Sequence, residues 1–129
     1  MASQLKVDTI TGVTTAGSVA VTGEGNSTTT NLQQGLAKVW VNYDGTASGA
    51  ASRDTFNVSG QADNGTGDYT TSFTNNMNND DYASGFGTNS AEAEIHTLAT
   101  SSIRASMLNS SGSNNDKSIV SYIIFGDLA

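Results

Sequence analysis

The stretch from Arg53 to Thr74, R-D-T-F-N-V-S-G-Q-A-D-N-G-T-G-D-Y-T-T-S-F-T, restricts this chain more than any other. Phe56 and Val58 alternate with polar neighbours, and so do Tyr69, Thr71 and Phe73. Successive side chains of a strand point to opposite faces, so alternation of this kind describes strands with one buried face. Between the two runs lies Asp63-Asn64-Gly65-Thr66-Gly67-Asp68. Its glycines and Asn64 adopt positive φ at low cost, which a hairpin reversal requires. The stretch therefore reads as strand, turn, strand. It commits the chain to β structure and names no reaction.

The same pattern recurs along the chain. Ala37 to Tyr43 reads as a strand with Val39, Val41 and Tyr43 on one face and Trp40 on the other. Tyr82 to Phe86 forms another, weakened by Gly85. Ala91 to Thr100 reads as a strand or irregular edge, although its alanines and glutamates also tolerate helix. Ser102 to Leu108 is a strand, and the largely apolar run Ile119 to Phe125 reads as one buried on both faces. Polar loops separate them at 44–50, 75–81, 87–90 and 109–117. The one helical candidate is a single turn, Asn31 to Leu36, with Asn31 as N-cap and Gly35 as stop. Seven or eight short strands after residue 36 predict an all-β fold. The architecture expected for residues 31–129 is an antiparallel β-sandwich or jelly-roll-like domain.

Residues 1–30 differ. Leu5, Val7 and Thr9 alternate with Lys6 and Asp8, Val19 and Val21 alternate with Ala20 and Thr22, and a turn lies between at 11–17. Two short strands and a polar linker have little with which to build a core. They read as an extended N-terminal arm that docks on another subunit or a partner particle through main-chain hydrogen bonds. The alternative is a hairpin packed on its own domain. Leu5, Val7, Ile10, Val19 and Val21 are the candidate attachment residues. Leu32, Leu36 and Trp40 are candidates for a subunit interface, with simple core packing the other reading of Trp40.

Composition narrows the function classes. Apolar residues make up 36% of the 129, which is thin for a small domain standing alone and favours an oligomer. The net charge of −7 argues against a nucleic-acid partner, since phosphate recognition needs Lys and Arg. No apolar run approaches the roughly 18 residues of a membrane helix, so no membrane insertion is expected. The start lacks a basic flank and an apolar h-region, so no secretory signal is expected either. The chain contains no cysteine and no proline, which leaves Gly, Asn and Asp to make its turns.

Chemistry finds few footholds. His96 is the only histidine, so it is the only candidate base for a histidine-based triad, and no zinc-ligand set can be assembled. Asp63, Asn64, Thr66 and Asp68 offer oxygens to calcium but lack the spacing and terminal Glu of an EF-hand. Glu92 and Glu94 share a strand face without a cleft around them, and Asp80-Asp81 reads as a solvated loop. No enzyme activity, cofactor or metal is expected.

Residues 31–46 (N-L-Q-Q-G-L-A-K-V-W-V-N-Y-D-G-T), with T-G-E-G at 22–25, R-D-T-F-N-V-S at 53–59 and D-N-G-T-G-D-Y-T at 63–70, resemble small tail-fibre-like or virion structural proteins of marine tailed bacteriophages, cyanophages included. The resemblance implies a non-enzymatic homotrimer, made in the host bacterial cytoplasm and built into the virion. It implies a fibre-like or knob-like appendage anchored by its N-terminal arm to other virion proteins, either a tail adaptor or the major capsid protein. Polar loops and exposed aromatics around Tyr82 and Phe86 would then meet a host surface glycan or receptor. The alternative is a capsid decoration or cement protein, favoured by the absence of a long shaft.

Overall fold

The computed structural model describes residues 4–13, 19–23, 28–89 and 92–129. The chain divides into two compact units, Met1–Leu36 and Ala37–Ala129, so the turn at 31–36 groups with the N-terminal residues. No described residue is helical.

In the first unit, β1 (Ala20–Thr22) pairs antiparallel with β2 (Thr29–Asn31), Val21 opposite Thr30. The expected strand at Leu5, Val7 and Thr9 does not form. Alternation alone makes no strand; a ladder partner is needed to satisfy the backbone. The expected helical turn is a hydrogen-bonded turn instead. Asn31 Oδ1 accepts from the Gln33 and Gln34 amides at 2.9 and 3.2 Å, as an N-cap would. Gly35 N then donates to Asn31 O and Leu36 N to Gln33 O, and the turn ends there. Residues 14–17 of the expected turn and 24–27 of the polar linker lie outside the described residues.

The second unit is a β-sandwich of eight strands: β3 (Val39–Asp44), β4 (Ala51–Phe56), β5 (Val58–Gly65), β6 (Asp68–Phe73), β7 (Ala83–Thr88), β8 (Ala93–Ala99), β9 (Ser102–Met107) and β10 (Val120–Phe125). One antiparallel sheet has the order β4-β3-β10-β7 and the other β5-β6-β9-β8. The core lies between them. Val39, Val41 and Tyr43 of β3 and Val120, Tyr122 and Ile124 of β10 meet Tyr69, Phe73, Ile103 and Met107 of the opposite sheet. Tyr43 sits edge-on to Tyr69 and Tyr122, with ring centroids 5.3 and 6.2 Å apart. Each such buried side chain contributes about 1.5–3 kcal/mol.

The run read as one strand from Arg53 onward is two strands in different sheets. Asn57, at φ 58°, turns the chain from β4 into β5. Its amide holds the corner: Nδ2 donates to Lys38 O and Asn75 O, both at 3.0 Å, and Oδ1 accepts from Asn75 N at 2.7 Å. The predicted hairpin is β5-β6, with Gly65 opposite Asp68, so the reversal is shorter than the polar composition indicated. Gly67 (φ 66°) is required in it, because a Cβ there would collide with the backbone N of Asn115.

β10 is central, paired with β3 on one side and β7 on the other, but only one of its faces is buried. Val120, Tyr122 and Ile124 point into the core, whereas Ile123 and Phe125 are 38% and 37% exposed. The largely apolar run disguised an alternating strand because its outer face carries Ile123 and Phe125 beside Ser121.

Candidate functional site

Strand register assembles that outer face. Trp40 pairs with Phe56 on β4 and with Ile123 on β10, and Ile123 pairs with Gly85 on β7. Phe56, Trp40, Ile123 and Gly85 therefore form one row across the sheet. The next row is Asp54, Asn42, Ser121 and Gly87. Phe56 is 51% exposed, and Trp40 is half-buried. Where the two rows reach β7 they end in glycine, and a hollow of about 530 Å³ opens over Trp40, Asn42, Ser121 and Ile123. A Cβ at Gly85 would lie 3.7 Å from Ile123 Cγ2, an ordinary contact, and one at Gly87 only 3.0 Å from Ser121 Oγ.

The polar row is held from the side. Arg53 is the extra residue of a bulge in β4, opposite the step from Asn42 to Tyr43. Its guanidinium donates to Tyr43 O at 2.8 Å, Asp44 Oδ2 at 2.9 Å and Asn42 Oδ1 at 3.3 Å, and also to Ser118 O. This fixes the Asn42 amide with its oxygen toward Arg53 and its NH2 group free of any described acceptor. The Trp40 indole N–H likewise has no acceptor among the described residues. Ser121 Oγ makes one long contact, 3.4 Å, to Gly87 O.

The expected attachment residues fall in the first unit. Leu5, Val7, Ile10 and Val21 are exposed there, while Val19 is half-buried. Ile10, Val19, Leu32 and Leu36 line one hollow of about 240 Å³, so the fold brings together residues read separately as attachment and interface positions. Leu5, Val7 and Val21 are not among its walls. Trp40 belongs to the second unit.

Tyr82 and Phe86 are not the exposed aromatics that were expected. Tyr82 is buried, and its hydroxyl donates to Ala99 O at 3.2 Å and Ser102 O at 3.0 Å. Phe86 turns inward onto Tyr122, with centroids 5.0 Å apart. The parity of β7 decides this: Phe86 pairs with core-facing Tyr122, which sends the glycines outward. Phe56, Asn42, Ser121 and the two glycines went unrecognised as neighbours, because only pairing across strands makes them so.

The candidate reactive groups have other partners. A bulge in β8 between Ile95 and Thr97 turns His96 onto Ser106, Nε2 to Oγ 2.7 Å. Ser106 is wholly buried and cannot reach a substrate. Asp68, which a calcium loop would need, is held by Arg104 through Nε to Oδ1 at 2.9 Å and Nη2 to Oδ2 at 2.6 Å. These hydrogen bonds to Arg104 hold its carboxyl below the usual carboxylate range. Asn64 Nδ2 donates to Asp68 Oδ1 and Thr70 Oγ1, and Asp63 Oδ1 accepts from Gly65 N, as in an ordinary polar turn. Glu92 and Glu94 are exposed, and Asp81 N is tied to Asn79 Oδ1 in its loop.

No protein-family model, curated protein or solved structure matches this chain.

Proposed function

We propose that the chain is a non-enzymatic structural protein of a tailed-bacteriophage virion, a homotrimeric fibre-like or knob-like appendage anchored by its N-terminal unit. The observation that supports an attachment role is the division of labour within the chain. The sandwich has its own core, while the first unit leaves Leu5, Val7, Ile10, Val21 and Leu36 exposed. Apolar side chains spread along a segment with little core of its own are suited to burial against a partner. That the partner is a phage particle is itself part of the proposal and comes from the sequence resemblance of residues 31–46, 53–59 and 63–70 alone.

In this reading the N-terminal unit docks on a tail adaptor or the major capsid protein, and the chain assembles as a trimer. The test is incorporation. Particles assembled with residues 37–129 alone should lack the protein, although that fragment stays folded by circular dichroism. Normal incorporation of the fragment would overturn the attachment role. The purified full chain should run at three times its 13.2 kDa mass by light scattering. Copy number distinguishes the capsid decoration reading: hundreds per particle for a cement protein, a few tens at most for an appendage, as order-of-magnitude expectations from symmetric assembly.

A further inference from the structure

The hollow over Trp40 points to a ligand by its chemistry. We propose that it binds a neutral saccharide, with Trp40 as the stacking surface and Asn42 and Ser121 as hydrogen-bonding partners. The site lies wholly in the second unit and does not depend on where, or whether, the first unit attaches.

The lining contains no Asp, Glu, Lys, Arg or His. The charged groups nearby lie outside the lining: Arg53 is paired with Asp44, and Asp54 stands at the β4 end of the polar row, so neither a phosphate nor a metal ion meets a charged partner within the hollow itself. An uncharged ligand is the one that matches. A pyranose ring has a face of C–H groups and a rim of hydroxyls. The hollow offers the complement: an indole and Ile123 in one row, an amide and a hydroxyl in the next. The Asn42 NH2 and the Trp40 N–H both lack an acceptor among the described residues, so hydroxyl oxygens could take their hydrogen bonds without displacing a protein partner.

The glycines supply the room. Gly85 is not forced by its backbone, because its φ lies outside the left-handed region and a Cβ there would make only an ordinary contact. Its missing side chain is what leaves the hollow open. A second copy of the chain is a poorer occupant. A stable interface covers about 800 Å² per partner. Here it would have to bury Asp54 and Asn42 beside the apolar row, at a desolvation cost.

Trp40 is the only tryptophan, so intrinsic fluorescence reports on this site alone. The full chain would be titrated to about 10 mM with cellotriose, chitotriose, maltotriose and galactotriose, a range suited to millimolar dissociation constants. Trp40 emission and backbone amide NMR shifts would be followed together. At least one sugar should shift both, with the NMR changes confined to β3, β7 and β10. Gly85→Val, which suits extended backbone and puts three carbons into the hollow beside Ile123, should weaken binding by about tenfold or more. Asn42→Ala should weaken it about tenfold. Both variants should keep the parent melting temperature. The proposal is overturned if no sugar produces a shift, or if a folded Gly85→Val binds as the parent does. It is also overturned if Trp40 emission responds to protein concentration instead, which would put a second copy on this face.

Discussion

Asn57 makes the corner at which the chain passes from one sheet to the other. It accepts a left-handed conformation and ties Lys38 and Asn75 to the corner with its side chain. Asn57→Gly keeps the conformational freedom and loses three hydrogen bonds; Asn57→Ala loses both. Urea unfolding should show Asn57→Gly destabilised by about 1–3 kcal/mol. Asn57→Ala should cost about 1 kcal/mol more, for an alanine forced into that region. Equal stability of the two variants would mean that the hydrogen bonds alone hold the corner. Asp68 gives a pH signature. Its hydrogen bonds to Arg104 lower its folded pKa. The stability they provide is therefore complete above the unfolded carboxylate value of about 3.9 and fades as pH falls toward the lower folded value. Arg104→Met should be less stable than the parent near neutrality, and the gap should narrow in unfolding curves taken at about pH 2.5. A gap that stays constant with pH would assign the loss to packing of the arginine stem instead.

At the scale of the strand, β10 shows why an apolar run is an ambiguous signal. Ile119 to Phe125 has the composition of a strand covered on both sides, yet the sheet is covered on one side only. Neighbouring isoleucines separate the two readings. Ile124 is fully buried, and Ile124→Ala should cost about 2–5 kcal/mol. Ile123 lies on the outer face, so Ile123→Ala should cost under about 1 kcal/mol in thermal or urea melts. Comparable losses at both positions would mean that the outer face is covered in solution. Alternation was legible wherever one face is polar, as in Val39, Val41 and Tyr43 or Tyr69, Thr71 and Phe73. It failed at Leu5 to Thr9, where the pattern has no partner strand among the described residues. The hairpin signal at 63–68 marked the right reversal because positive φ is a local property of Asn and Gly. The change of sheet at Asn57 was invisible, since the residue after it continues the alternation.

For the whole molecule the tyrosines are the common element. All four of the chain lie in the sandwich core: Tyr43, Tyr69, Tyr82 and Tyr122. Burial is the main cause that raises the phenol pKa of all four, that of Tyr82 to about 12. A raised folded pKa means stability that is complete below the unfolded value of about 10 and is lost as pH climbs toward the folded ones. Ultraviolet titration should therefore show little phenolate near pH 10, then all four ionising in one step that coincides with loss of the β-sheet circular dichroism signal. A separate ionisation near pH 10 with the fold intact would show that a tyrosine is open to water.

The sequence by itself determined the β character of the chain, the inward faces of β3 and β6, the main turn positions and the distinctness of the N-terminal residues. These follow from neighbours in the chain, through side-chain alternation and the φ preferences of Gly and Asn. It also marked Trp40 as lying opposite the core face of its strand. Only the tertiary structure decided what stands beside Trp40. Phe56, Ile123 and Gly85 come from strands far apart in sequence and meet through register. A shift of one residue in the β10–β7 ladder would send the glycines inward and Phe86 outward. The hollow is thus a property of strand pairing, and strand pairing is fixed by the packing of two sheets on a shared core.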